Sequence, residues 1–153
     1  MIVPFYCQAN PLWKDKILGK RETFQEAGCL VTCVAMLASA KTGKEITPLM
    51  VDEWMDTHHG YQGDAVIWDK ALSYLQSLYI PFTHWEHDFG NYETIKWRDG
   101  DIPILRVLQK SGHYHYVVLL DKTGKCNDPA HIVGANNTLK QRGYIPDRVT
   151  WFW

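Results

Sequence analysis

Two cysteines stand four residues apart in FQEAGCLVTCVAML (residues 24–37), and the first, Cys29, directly follows a glycine at the start of an apolar run. A cysteine at a helix mouth faces unpaired backbone N–H groups and the positive end of the helix dipole, and both favour a thiolate. That field is worth about 0.3–1 kcal/mol, ~2 at most, so helix position alone ionises a thiol only in part. A neighbouring imidazolium must supply the remainder. The candidates are His113 and His115 in SGHYHYVVLLDKTGKCNDP (residues 111–129), where two histidines alternate with Tyr114 and Tyr116 and point to one side of a strand. Asp128 follows His115 by 13 residues, beyond a turn on DKTG that returns the chain antiparallel beside the first strand. A nucleophile, a histidine to pair with it and an acid to orient the imidazole are the parts of cysteine-based acyl transfer. Residue types alone leave a second reading open, with Cys29 packed as a small hydrophobe and Asp128 capping a turn.

These side chains need a scaffold to bring them together. MIVPFYC (residues 1–7) reads as an opening strand, followed by a polar, turn-containing stretch from Gln8 to Ala27. From Gly28, Leu30, Val34 and Leu37 recur at helical spacing with small residues between them, ending near KTGK (residues 41–44). Thr47 as N-cap and Pro48 at the first helical position open a second helix, and DAVIWDKALSYLQSL (residues 64–78) carries a third. Beyond YIPFTHWE (residues 79–86) the pattern changes. DIPILRVLQ (101–109), HYHYVVLLD (113–121) and DRVTWFW (147–153) read as strands. Helices first and antiparallel strands later predict an α+β fold rather than an alternating βαβ array.

At 153 residues and 46% hydrophobic, the chain is expected to form a single domain, residues 1–153. Its 16 basic and 17 acidic residues give a net charge of −1, with no basic stripe or polybasic run, which argues against nucleic acid and anionic membrane surfaces as partners. The longest apolar stretch, residues 29–40, is too short for a membrane span, and MIVPFY lacks a charged leader, so synthesis in the cytoplasm without a signal peptide is expected. Cys7, Cys29, Cys33 and Cys126 read as reduced thiols. No cysteine pair has zinc-knuckle spacing, and His58, His59, His84 and His87 lie away from the cysteines; no metal or cofactor is expected. Seven tryptophans and eight tyrosines fit an aromatic core or an aromatic-lined cleft equally well.

The order CQANPLW (7–13), GCLVTCVAML (28–37), TPLMVDEWM (47–55), GDIPILRVL (100–108), HYVVLLD (115–121) and NDP (127–129) resembles the papain-like cysteine peptidases related to the double-glycine leader-cleaving domains of bacteriocin exporters. The resemblance implies a papain-like fold, a helical N-terminal half packed on an antiparallel sheet from the C-terminal half. It makes Cys29 the nucleophile, His115 rather than His113 the general base and acid, and Asp128 the residue that orients the imidazole. Gln8 becomes the oxyanion donor, with Gln25 as its competitor, and Cys33 is core. It implies no metal or organic cofactor.

The expected activity is hydrolysis of a peptide or amide bond through a thioester. For a free-standing domain the expected substrate is a peptidoglycan stem peptide or cross-link, cut as a phage or bacterial endolysin does, with action at the cell wall after release. The alternatives are a protein- or leader-processing protease, a transferase with the same three residues, and a non-catalytic peptide-binding module. The stretch 131–153 matches less clearly and has no assigned part.

Overall fold

The computed structural model describes residues 1–89, 92–94, 96, 98–131 and 137–153, and over these the architecture is α+β. A single-turn helix, α1 (Phe24–Ala27), is closed by a capping box in which Thr23 and Glu26 satisfy each other's backbone N–H. Gly28 then leads into α2 (Cys29–Thr42), which stops where Gly43 turns left-handed at φ 66°. Every residue of α2 from Leu30 to Ser39 is buried, as expected of a helix that is apolar all round. Helix α3 (Pro48–Thr57) starts at the Thr47 cap with Pro48 in its first turn. A two-residue hairpin, β1 (Tyr61–Gln62) with β2 (Ala65–Val66), precedes α4 (Trp68–Ser77).

The remaining elements are β3 (Trp85–Asp88), β4 (Ile104–Leu108), β5 (Tyr114–Leu119), β6 (Lys125–Asn127), β7 (Asn137–Thr138), α5 (Leu139–Arg142) and β8 (Ile145–Phe152). The strands form one sheet in the order β3-β8-β4-β5-β6-β7, each neighbouring pair antiparallel. Ile104, Val118 and Phe152 pack with α2 in the larger core, while Leu105, Val107, Val117, Leu119 and Val149 form a second core with Leu139. Burial on both faces explains why Ile104 and Leu105 of β4 and Val117, Val118 and Leu119 of β5 are consecutive apolar residues rather than alternating with polar ones. No helix among the described residues is long and apolar enough to cross a membrane.

Three local expectations change. Residues 1–7 form no strand; Pro4 removes one ladder donor, and the carbonyls of Val3 and Pro4 accept from Asn127 Nδ2 instead of from a neighbouring strand. The third helix begins only at Trp68, because Ala65 and Val66 pair with β1. His113 lies outside β5 and is exposed, so it does not share a strand face with His115.

Candidate active site

The Gly-Cys pair has a steric cause. A Cβ at Gly28 would stand 2.5 Å from the Phe24 carbonyl oxygen and 2.8 Å from Phe24 Cδ1, so only glycine lets α1 fold this tightly against the start of α2. The Phe24 ring is completely buried, which fixes the turn. Cys29 therefore begins α2 at a position set by backbone packing, and it remains partly exposed.

His115 is the second residue of β5 and is buried. Its Nε2 meets Asp128 Oδ1 at 2.6 Å, and Cys29 is its other side-chain partner. With Nε2 held by the carboxylate, Nδ1 is the ring nitrogen left for the thiol. Burial pulls the imidazole pKa down, but hydrogen bonding to Asp128 and to Cys29, together with their charges, outweighs it and pushes the pKa up to about 9. The protonated ring is thereby favoured at neutral pH.

Asp128 follows β6 directly, and the β5–β6 pairing of Val118 with Asn127 carries it alongside His115. The carboxylate is fully buried and saturated with donors: Oδ1 also accepts from Ala130 N–H at 2.9 Å, and Oδ2 from Tyr144 O–H at 2.6 Å. Arg142 Nε and His131 Nε2 stand 3.3 Å from Oδ2. Burial pushes this acid's pKa up, yet the His115 hydrogen bond and charge and the Tyr144 and Ala130 donors hold it well below the usual carboxylate range. Asp128 thus stays ionised and keeps the Nε2 proton on His115. The Tyr144 ring lies edge-on to His115, with centroids 5.9 Å apart.

Gln8 is buried and tied at two points. Its backbone N–H donates to the Pro129 carbonyl, next to Asp128, and its Nε2 donates to the Gln25 carbonyl on α1, each at 2.9 Å. One amide hydrogen remains on Nε2, and Oε1 is buried without a hydrogen-bond partner among the described residues. Gln25 offers its backbone, while its side chain is exposed. Cys33 is completely buried one turn into α2; burial and the neighbouring Cys29 push its thiol far up, and burial raises Cys126 to about 12. Among the described residues, no group of three or more His, Cys, Asp or Glu side chains is arranged to hold a metal ion.

Cys29 opens into a cleft of about 590 Å³ walled by Leu30, Val66, Trp68, Tyr114 and Tyr116. Asp64, also in its wall, pins the preceding loop by accepting from the N–H groups of Lys20 and Arg21 at 2.7 Å and of Glu22 at 3.2 Å. The structure thus brings Cys29, His115 and Asp128 into one chain of contacts and anchors Gln8 beside it. Sequence reasoning missed Tyr144 and Arg142, which lie in the C-terminal stretch without an assigned part. Residues 132–136 of that stretch lie outside the described residues. A scan against protein-family models finds no match for this chain, and a search of the curated proteins finds none either.

Proposed function

We propose that the protein is a cysteine peptidase or amidase with a papain-like fold and catalytic plan. The observation that carries this reading is the relay from Cys29 at the head of a buried helix, through His115, to an Asp128 carboxylate kept ionised at 2.6 Å. The Cys29 thiolate attacks the scissile carbonyl carbon, and the oxyanion receives the Cys29 backbone N–H and the free amide hydrogen of Gln8. As the tetrahedral centre collapses, the C–N bond breaks and the His115 Nδ1 proton passes to the leaving amine. Water then attacks the thioester, giving one proton to His115, and the acid product leaves as the Cys29 thiolate is restored beside the protonated ring.

Among amide substrates, peptidoglycan stem peptides and cross-links are the first to try. Purified cell walls incubated with the protein should release new free amines of defined mass, and Cys29→Ala should abolish the release while Cys33→Ala retains it. Loss of activity only in the Cys33 variant would overturn the assignment of the nucleophile. Walls left intact would remove this substrate class and leave protein processing, for which the same thioester chemistry serves.

A further inference from the structure

The ladder registers set Tyr116 of β5, Arg106 of β4 and Arg148 of β8 in one row, with Arg106 paired to both neighbours. Like charges directly opposite each other on adjacent strands repel, so a sheet that keeps two arginines there needs a reason. One of them is answered. The register slips after Arg106, whose partner is Arg148, to Val107, whose partner is Pro146, leaving Asp147 as the extra residue of a β-bulge. Bulges of this kind re-aim a side chain. Asp147 grips Arg106 through two bonds, from Nε to Oδ1 at 2.9 Å and from Nη2 to Oδ2 at 2.7 Å.

Arg148 forms no ion pair among the described residues. Its Nη2 donates to Tyr116 Oη at 2.8 Å, its guanidinium lies 5.9 Å from the Trp68 ring centroid, and its Nε is buried without a partner. Trp68 and Tyr116 both wall the cleft that holds Cys29, as does Tyr114, over which Arg106 stands at 4.4 Å. A cation with no ion pair among the described residues therefore backs the aromatic wall of the substrate cleft. His87, in edge contact with Trp68, adds no charge at neutral pH, since burial and the two arginines drive its pKa down to about 4. Of the three acids that line the cleft, Asp64 commits Oδ1 to three backbone N–H groups and Glu26 commits Oε1 to the capping box, while the Glu22 side chain is exposed.

We infer that the cleft takes a substrate bearing a carboxylate close to the scissile carbonyl, attracted by Arg148 from behind the Tyr116–Trp68 wall. The inference rests on the reading of this cleft as the substrate site. The carboxylate is either an acidic side chain or the C-terminal carboxylate of a peptide, and guanidinium suits both.

Thiol-directed probes test this without a known substrate. Bromoacetylglycine carries a terminal carboxylate, bromoacetyl-glutamic acid α-amide a side-chain carboxylate, and bromoacetylglycinamide neither. Alkylation of Cys29, followed by mass spectrometry at pH 7 and low salt, should run about five-fold faster for one acid probe than for the amide, the scale of one charge pair. Which acid probe gains identifies the source of the carboxylate. In Arg148→Gln the acid-to-amide ratio should fall to near one; a ratio unchanged by that substitution overturns the inference.

If the amide probe fails to modify Cys29 selectively, the catalytic reading fails instead. Carboxylate recognition is then read in Cys29→Ala protein, with Arg148 in place, by following its Nε–H resonance. Acetylglycine should shift it and acetylglycinamide should not, and equal responses to the two overturn the inference independently of catalysis.

Discussion

Asp128→Ala removes the acceptor on which the site is built. The wild-type carboxylate is 0% exposed and takes hydrogen bonds from His115, Ala130 and Tyr144, with Arg142 and His131 close by. Deleting one partner of a buried charged pair costs about 3–5 kcal/mol, because the groups that faced it are left buried and unpaired. For a chain of this size each kcal/mol moves Tm by about 2–4 °C, so Tm should fall by roughly 6–20 °C near neutral pH.

The loss also has a pH signature. The folded pKa of His115 is raised from 6.5 to about 9, so its contribution is fully present below 6.5 and disappears as pH rises through 9. Asp128 is lowered from 3.8, so its contribution is present above 3.8 and is lost as pH falls through the depressed value. The gap between wild type and variant should therefore be widest from about pH 4 to 6.5 and should narrow toward pH 10, by on the order of 3 kcal/mol at most. Differential scanning calorimetry of both proteins across that range measures it. A Tm within about 2 °C of wild type at pH 6, or a gap that stays constant to pH 10, would refute the relay as the source of the site's electrostatics.

Tyr144→Phe deletes one donor to Asp128 Oδ2 and should cost about 1.5–3 kcal/mol, visible in urea unfolding, while slowing iodoacetamide modification of Cys29. Unchanged stability and unchanged alkylation together would remove Tyr144 from the site. Gln8→Ala should lower amide hydrolysis by about 10²–10³ through loss of an oxyanion donor, yet leave alkylation, which forms no oxyanion, near wild type. A parallel fall in both would instead make Gln8 a positioning residue. Gly28→Ala should separate α1 from α2 and depress Tm and Cys29 reactivity together, because its methyl group has no room beside the Phe24 carbonyl. A fully active, fully stable Gly28→Ala would contradict the packing described for the helix mouth.

Much of the scaffold was legible because its signals are local. Thr47 and Pro48 mark the start of α3 and Gly43 the end of α2, each through a backbone conformation or a hydrogen bond confined to one turn. β4, β5 and β8 announce themselves as β-branched and aromatic runs between glycines. The Thr23–Glu26 capping box, which folds the approach to Cys29, was also written in the chain and passed over within a polar stretch. The opening segment misled because MIVPFYC has strand-like composition, while pairing depends on a free sheet edge and on donors that Pro4 lacks.

The candidate site divides in the same way. Cys29 after Gly28, His115 at the head of an apolar strand and Asp128 beyond a hairpin turn are separated by spacings that a helix and two strands can close, so the sequence alone nominated them. It could not choose decisively between His113 and His115, or between Gln8 and Gln25. Burial separates the members of each pair, placing His115 against Asp128 and Gln8 beneath α1 while leaving the side chains of His113 and Gln25 exposed. Tyr144, Arg142 and Arg148 had no signature at all. Their roles arise because Gly143, left-handed at φ 68°, turns the chain after α5 and because β8 bulges at Asp147 beside β4. Local propensity sees neighbours along the chain; hydrogen bonds and charges are settled by neighbours in space, and only the folded sheet brings residue 144 to residue 128 and residue 148 to residue 116.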